Sequence, residues 1–163
     1  MPIEIAEKST RHSKITGDFA EALTLYWLSR NNFECVRIDH TGIDLLALNR
    51  CTRELMGISV KMRSRIKGTE RNAVSVEKSD FTKVTRACKD FRCEPYYSIV
   101  VDQGDRIRVF LTSMKHLQQE AKNGKDKIHW GMTDAHLDKY RTDPSIMRVE
   151  FSITLGNWWP VIQ

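Results

Sequence analysis

The sequence predicts an α/β fold, a mixed central sheet flanked by helices with its elements in the order αβββαβ. Two segments with helically spaced apolar residues enclose three short strand-like segments. A strand led by Pro95 follows the second helix. With 163 residues and 40% hydrophobic content, the chain is long enough for one domain with a substantial core, and a second full domain would not fit.

The first predicted helix begins at Thr16, a favourable N-cap, and ends at Asn31-Asn32. Its apolar residues recur at helical spacing, at Phe19, Leu23, Tyr26 and Trp27. Three strands then form a meander, because short apolar runs alternate with polar turns. These strands are Phe33–Asp39, Ile43–Leu48 and Leu55–Met62.

The segment after the third strand, Met62–Asn72, has almost no apolar residues and is predicted to be an exposed basic loop. A short strand at Ala73–Val76 and a second helix, capped by Ser79 and ending near Arg92, come next. A polar turn containing Gly104 then joins two apolar runs, which predicts a hairpin. Its strands are Tyr96–Val101 and Arg106–Leu111.

Beyond the hairpin the periodic pattern weakens. Thr112 or Ser113 caps a third helix, and Met147–Leu155 is predicted to be a terminal strand, followed by an apolar tail at Trp158-Trp159-Pro160. We treat residues 1–163 as a single domain with a core at about 14–111 and a C-terminal extension at 112–163. The sequence does not indicate the role of that extension.

The charge balance gives a weak indication of the partner. Lys and Arg number 26 against 21 Asp and Glu, a formal charge of +5, which mildly favours a polyanion. We expect a cytoplasmic protein, because no run is long and apolar enough for a membrane helix and the N-terminus is polar. The cysteines lack the C-x2-C spacing of a zinc site and are predicted to be buried free thiols; they are Cys35, Cys51, Cys88 and Cys93.

Two short motifs carry the chemistry. Gly42-Ile43-Asp44 opens the second strand, and Ser59-Val60-Lys61 lies in the third, so a carboxylate and a lysine stand on neighbouring strands of a hairpin. Because side chains alternate faces along a strand, Ser59 and Lys61 point the same way, and Lys61 can reach a phosphate held at Asp44. The pair suits a metal-dependent phosphodiesterase. Taken alone, it also fits an ordinary cross-strand ion pair.

With these residues in this order, the chain resembles the PD-(D/E)XK nuclease superfamily, the restriction-endonuclease-like proteins. Within it, the nearest branch looks like the archaeal Holliday-junction resolvases. The resemblance covers roughly Lys14 to Leu111, the nuclease-like core. It rests on Gly17-Asp18-Phe19-Ala20-Glu21 in helix one, Gly42-Ile43-Asp44 in strand two and Ser59-Val60-Lys61-Met62-Arg63 in strand three.

The resemblance implies a DNA endonuclease that depends on Mg²⁺ or Mn²⁺, acts on branched or duplex DNA and forms a homodimer. It implies catalytic roles for Asp44, Lys61 and Glu21, with Ser59 lining the site. Asp44, Glu21 and the backbone carbonyl of Val60 are the expected metal ligands. Lys61 is expected to orient the attacking water and to balance charge in the transition state. Without the resemblance, Glu21 is explained equally well as an acidic residue in the early turns of a helix, where its charge interacts favourably with the helix dipole.

Ser59 departs from the family pattern, since an acidic residue or glutamine usually stands there. Three explanations remain open. Another residue supplies the missing carboxylate, with Asp39, Glu77 and Glu34 as candidates in that order; or the site works with one weakly held metal; or the domain binds nucleic acid without cutting it. The last is the alternative function, and RNA as the substrate ranks below both.

The basic loop is predicted to clamp the DNA backbone, through Arg63, Arg65, Lys67 and Arg71. A run of this kind is more often a solvated loop, and its position beside a phosphodiesterase site favours the clamp. Arg37 is expected to pair with Asp39 or Glu34.

Overall fold

The computed structural model describes residues 7–156. These form, in chain order, α1 (His12–Ser29), β1 (Phe33–Arg37), β2 (Leu45–Asn49), β3 (Leu55–Ser64), β4 (Val74–Glu77), α2 (Lys78–Phe91), β5 (Glu94–Asp102), β6 (Arg106–Ser113), α3 (Met114–Glu120), β7 (Lys122–Asn123), β8 (Lys127–Trp130), α4 (Asp134–Thr142) and β9 (Met147–Ser152). Across this described stretch, no helix has both the length and the apolar character that a membrane crossing requires.

The main sheet is mixed and has six strands in the order β1-β2-β3-β5-β6-β9. Strands β1, β2 and β3 form the predicted antiparallel meander. Strand β5 then joins β3 in parallel, since the chain crosses over through β4 and α2. The β5–β6 hairpin is antiparallel, as predicted. A smaller antiparallel sheet has the order β4-β8-β7.

Apolar side chains cover both faces of the main sheet. On one face, α1 packs against β1 and β3, with Ala20 and Leu28 buried. The largest buried cluster joins α2, α3 and α4 to β5 and β6, and Trp130 stacks on Tyr140 with ring centroids 4.2 Å apart. Helices therefore flank the sheet, as the sequence predicts.

Several helix boundaries differ from the prediction. Helix α1 begins at His12, and the hydroxyl of Thr16 donates to the His12 carbonyl at 2.6 Å instead of capping the helix. Helix α2 begins at Lys78, so Ser79 lies inside it. Ser113 does cap α3, accepting a hydrogen bond from the His116 N–H at 3.2 Å. Periodicity locates a helix better than its first residue, because several residue types satisfy the first turn.

The extension beyond residue 111 packs against the nuclease-like core. Strand β9 pairs with β6 and becomes an edge of the main sheet, while β8 pairs with β4. The predicted terminal strand is thus confirmed, ending at Ser152. The predicted tail at Trp158-Trp159-Pro160 lies outside the described residues.

The four cysteines are free, as predicted, but the prediction that all are buried is wrong. Cys88 and Cys93 are buried, Cys35 is half-buried and Cys51 is exposed. Cys51 lies in the polar turn after β2, where no core packs over it. Burial raises the pKa of the Cys88 thiol to about 12, so this thiol is unreactive at neutral pH.

Candidate active site at the open edge of β3

Asp44 is held where β2 and β3 separate. Its backbone N–H donates to the Ile58 carbonyl at 2.8 Å, and its Oδ2 accepts from the Val60 N–H at 2.7 Å. Strand β2 begins at Leu45, opposite Ile58, so β3 beyond this point has no partner strand on that side within the described chain. Because backbone groups alternate direction along a strand, the Val60 carbonyl lies on the same open edge as its N–H.

Lys61 points to the face of the main sheet that α2 covers, and it pairs with Asp80. Its Nζ lies 2.9 Å from Asp80 Oδ2, and both side chains are about three-quarters buried. Asp80 stands in the first turn of α2 and also lies 3.7 Å from Lys83 Nζ. The cross-strand ion pair of Lys61 with Asp44 does not form, because the lysine extends toward α2 instead.

A cavity of about 230 Å³ brings the two motifs together. Asp44, Ser59 and Lys61, three of the four predicted catalytic residues, line it together with Val60 and Asp80. Ser59 is 3% exposed, so its hydroxyl belongs to the wall of the cavity and not to the protein surface. The cavity therefore has one wall from β3, one from the start of β2 and one from α2.

Glu21, the fourth predicted catalytic residue, lies on the other side of Asp44. A second cavity of about 490 Å³ is lined by both carboxylates, together with Arg37 and Asp39. The Glu21 Oε2 atom lies 2.7 Å from Arg37 Nε, and Arg37 also contacts Asp18 at 3.1 Å. The predicted pairing of Arg37 with Asp39 or Glu34 is wrong, because α1 packs across β1 and presents its own carboxylates to the guanidinium.

Asp44 and Glu21 both have pKa values above their ordinary range. Burial raises the pKa of Asp44, and the charge of Asp80 adds to this, whereas the Val60 N–H, Lys61 and Arg37 oppose it. Burial also raises the pKa of Glu21, followed by the charge of Asp44, while Arg37 lowers it. Crowded, partly desolvated carboxylates of this kind mark functional sites and favour the binding of a cation.

The residues present fit a hard divalent cation. Mg²⁺ and Mn²⁺ take oxygen ligands, and Asp44 and the Val60 carbonyl offer only oxygen, with Asp80 in one adjoining cavity and Glu21 in the other. In residues 7–156 the three carboxylates do not all lie within 4.8 Å of one another, so a single ion would contact Asp44 and one of the other two. A further sign is the Tyr97 hydroxyl, which is buried without a hydrogen-bond partner in residues 7–156. Burial, and after it the charge of Asp80, raises the Tyr97 pKa. A buried hydroxyl near these carboxylates is what a site completed by water or a hydrated ion would show.

Asp80, which is not among the predicted site residues, is a carboxylate that lines the same cavity as Ser59. Of the three predicted candidates for the missing carboxylate, Glu34 pairs with Arg50 and Glu77 pairs with Lys127, away from the site. Asp39 lines the larger cavity beside Glu21. None of the three lines the smaller cavity with Ser59, whereas Asp80 does, together with Asp44. The available signal was an acidic residue in the first turn of the helix that follows the motif, a position also explained by the helix dipole.

The predicted basic clamp is mostly engaged with the protein itself. Arg63 donates to the carbonyls of Met62 at 2.7 Å and Ser75 at 3.3 Å. Arg65 donates to the Asn72 and Ala73 carbonyls. The remaining two residues are exposed: Arg71, which pairs with Asp134 at 2.7 Å, and Lys67. Carbonyl partners leave the charges of Arg63 and Arg65 uncompensated, so these two side chains still add positive potential near the site.

Within the described residues, one group of three His, Cys, Asp or Glu side chains has its ligand atoms close enough together for a metal ion, and it lies away from Asp44. His116, Glu120 and Asp143 bring their ligand atoms within 4.8 Å of one another on α3 and at the end of α4. His116 Nε2 lies 2.7 Å from Asp143 Oδ2, and Glu120 pairs with Lys139. Each member already has a partner, so the cluster joins two helices and is separate from Asp44.

Gly42 lets α2 approach the site. Its φ is +106°, and a Cβ atom there would lie 2.5 Å from the Lys83 carbonyl oxygen in the backbone of α2. Both the left-handed backbone and the close approach require glycine. The glycine of the Gly42-Ile43-Asp44 motif thus lets the second turn of α2, at Lys83 and Val84, approach closely and so brings Asp80 beside Asp44.

We expect Gly42→Ala to destabilise the protein by roughly 1–3 kcal/mol, because the substitution adds both backbone strain and a clash with helix backbone. Urea unfolding measures the change. Gly68→Ala is the matched control, since Gly68 has φ +90° but a Cβ there meets nothing within 4 Å. Equal losses in the two variants would show that packing against α2 contributes nothing at residue 42.

Comparisons with known proteins identify the architecture. No family model matches the chain, and no curated protein matches it in sequence. Among solved structures, the Holliday junction resolvase Hjc of Archaeoglobus fulgidus is 14% identical, over 72% of this chain and 91% of the resolvase, with a TM-score of 0.53. A bacterial homing endonuclease is 14% identical over 78% of this chain and 81% of its own, with a TM-score of 0.45. The likeness to the resolvase confirms the predicted restriction-endonuclease-like fold.

Proposed function

We propose that this chain, which has the restriction-endonuclease-like fold, is a metal-dependent DNA endonuclease of the PD-(D/E)XK type. The observation that carries the proposal is the convergence of Asp44, Lys61 and Asp80 on one cavity at the open edge of β3. A nuclease needs carboxylates to hold a cation and a basic group beside the scissile phosphate. Here the carboxylates of Asp44 and Asp80 and the ammonium of Lys61 line the same cavity.

Each residue of the site has a separate proposed role. Asp44 and the Val60 carbonyl, with Asp80 in one adjoining cavity and Glu21 in the other, would hold Mg²⁺ or Mn²⁺, and such an ion would polarise the phosphodiester and lower the pKa of bound water. Lys61 orients the attacking water and stabilises the charge that develops on the phosphate oxygens. Asp80 also keeps the Lys61 ammonium directed into the cavity, at 2.9 Å. Ser59 lines the wall and leaves room that a larger acidic side chain would fill.

The fold and the charge support DNA as the substrate. The net charge is +5, and Arg63, which lines a cavity with Lys61, has no carboxylate partner in residues 7–156. The matched solved structure is a Holliday junction resolvase, which makes branched DNA the first substrate to examine, with duplex DNA second. We further propose that the chain is one domain and that two copies associate, so that two active sites face two strands.

The test is cleavage of labelled four-way-junction, flap, duplex and single-stranded DNA with Mg²⁺, with Mn²⁺ and with EDTA. We expect strand cleavage that requires a divalent ion, and the preferred DNA identifies the substrate class. Single-stranded RNA serves as the competing substrate. A folded protein that binds DNA in a salt-dependent way but cuts nothing with either ion would contradict the proposal and favour a domain that only binds nucleic acid.

A further inference from the structure

A third cavity, of about 390 Å³, adjoins the candidate active site. It lies between the N-terminal turns of α1, the preceding Lys8 and the open edge of β3 at residues 60–64. It shares Val60 and Lys61 with the cavity that contains Asp44. A ligand in this cavity therefore lies next to a phosphate bound at Lys61.

The ionisable residues that line this cavity are all basic. None of its lining residues is acidic, and Lys8, His12, Lys61 and Arg63 are basic. Lys61 is neutralised by Asp80. In the part of the chain that the structure describes, no carboxylate pairs with Lys8 or Arg63; the nearest partners are the Ser64 hydroxyl, 3.4 Å from Lys8 Nζ, and backbone carbonyls. The cavity thus attracts an anion.

Residues with polar groups line the same cavity. His12 lines the cavity, and its Nε2 atom is buried with no hydrogen-bond partner in residues 7–156. Because the Val60 N–H points to the open edge of β3, alternation along the strand directs the Met62 and Ser64 N–H groups there as well. Backbone N–H groups are donors from which phosphate oxygens accept hydrogen bonds, and the His12 side chain borders them in the cavity lining.

The side of the cavity formed by α1 also favours an anion. The cavity is lined by Ser13 and Thr16 of α1 and by Gly17, where a Cβ atom would meet nothing within 4 Å. The start of an 18-residue helix carries a partial positive charge. Glycine in a helix interior costs stability relative to alanine, and here it leaves the helix backbone open to the cavity.

We infer that this cavity binds a backbone phosphate of the nucleic acid next to the scissile one, and so sets the position of the strand in the active site. The inference rests on the proposed function. Successive phosphates of one strand lie about 3.4 Å apart along the duplex axis, so a neighbouring phosphate falls beside the one held at Lys61. The proposed phosphate contacts are thus Lys8, His12 and the edge of β3. Of the predicted loop clamp, only Arg63 lines this cavity.

Gly17→Glu and Gly17→Gln form the sharpest test, because the two side chains have similar size and differ in charge. The open space at Gly17 accommodates both, and both residues favour a helix more than glycine does. Binding of a fluorescent DNA duplex is measured by anisotropy in Ca²⁺, which suppresses cleavage, across a salt series. We expect Gly17→Glu to bind roughly tenfold more weakly than Gly17→Gln. Equal affinities would overturn the inference.

The second variant removes two of the proposed contacts. We expect Lys8→Gln/His12→Ala to weaken binding and to reduce the slope of log affinity against log salt by about 1, whereas Lys115→Gln, at an exposed position of α3, has no such effect. Melting curves verify that each variant is folded. A slope equal to that of Lys115→Gln would refute the site, as would wild type that does not bind DNA.

Cleavage assays on the same proteins separate the two proposals. If the wild type binds DNA through this cavity but never cleaves it, the phosphate site stands and the endonuclease proposal fails. If the wild type cleaves and the cavity variants bind normally, the phosphate site fails alone.

Discussion

Asp44→Asn is expected to lower the rate of DNA cleavage by at least about 10²–10³-fold, the effect of losing one group that stabilises transition-state charge. The same substitution is expected to make the metal-free protein more stable at neutral pH. Asparagine keeps an oxygen that can accept the Val60 N–H, so the local backbone contact survives. What disappears is a buried negative charge.

The direction of the stability change follows from the raised pKa of Asp44, whose largest cause is burial. A carboxyl with a higher pKa in the folded state binds its proton more tightly there, so stability falls as pH rises from the ordinary pKa through the raised one. Above that window the folded protein carries the full cost of the buried charge. The stabilisation by Asp44→Asn should therefore be present at neutral pH and vanish below the ordinary carboxyl pKa, where both states are protonated.

Thermal melting against pH, with and without Mg²⁺, measures this. Mg²⁺ should raise the melting temperature of the wild type and leave that of Asp44→Asn unchanged, because a ligand stabilises only the state that binds it. Asp105→Asn, an exposed carboxylate in the β5–β6 turn, is the control. An Asp44→Asn protein that is less stable than the wild type at neutral pH and still responds to Mg²⁺ would contradict the assignment.

Asp80→Asn is the second prediction with a large effect, a loss of roughly 10²-fold in cleavage rate. The substitution removes the carboxylate that faces Ser59 across the cavity and releases the Lys61 ammonium, 2.9 Å away. Asp90→Asn is the matched control, because Asp90 is an exposed carboxylate of the same helix and does not line the cavity. We expect that control to cleave at nearly the wild-type rate.

A relocation experiment separates a ligand role from a purely structural one. Ser59→Asp in the Asp80→Asn background returns one carboxylate to the cavity from β3, where Ser59 is 3% exposed. We expect the double variant to recover at least about tenfold over Asp80→Asn, a gain of about 1.4 kcal/mol in transition-state stabilisation. Recovery should be greatest with Mn²⁺. If Asp80→Asn alone cleaves like the wild type, Asp80 has no part in the reaction.

Local signals in the sequence were sufficient for most of the architecture. The three-strand meander, the β5–β6 hairpin and the α2 crossover follow from the periods of apolar residues and from turn chemistry, which depend only on near neighbours in the chain. The two motifs around Asp44 and Lys61 were recognisable for the same reason, since their spacing places them on adjacent strands. Helix starts were less certain: Thr16 satisfies the preference for an N-cap and yet lies inside α1.

Only the tertiary structure decided which charges meet. Asp80 faces Ser59 because Gly42 allows α2 to approach the edge of β3, and Arg37 contacts Glu21 because α1 packs across β1. The residues after 111 complete both sheets through pairings with distant strands. Charged side chains are long and exposed positions are many, so sequence spacing does not determine their partners. Packing does, because burial leaves each charge with few groups in reach.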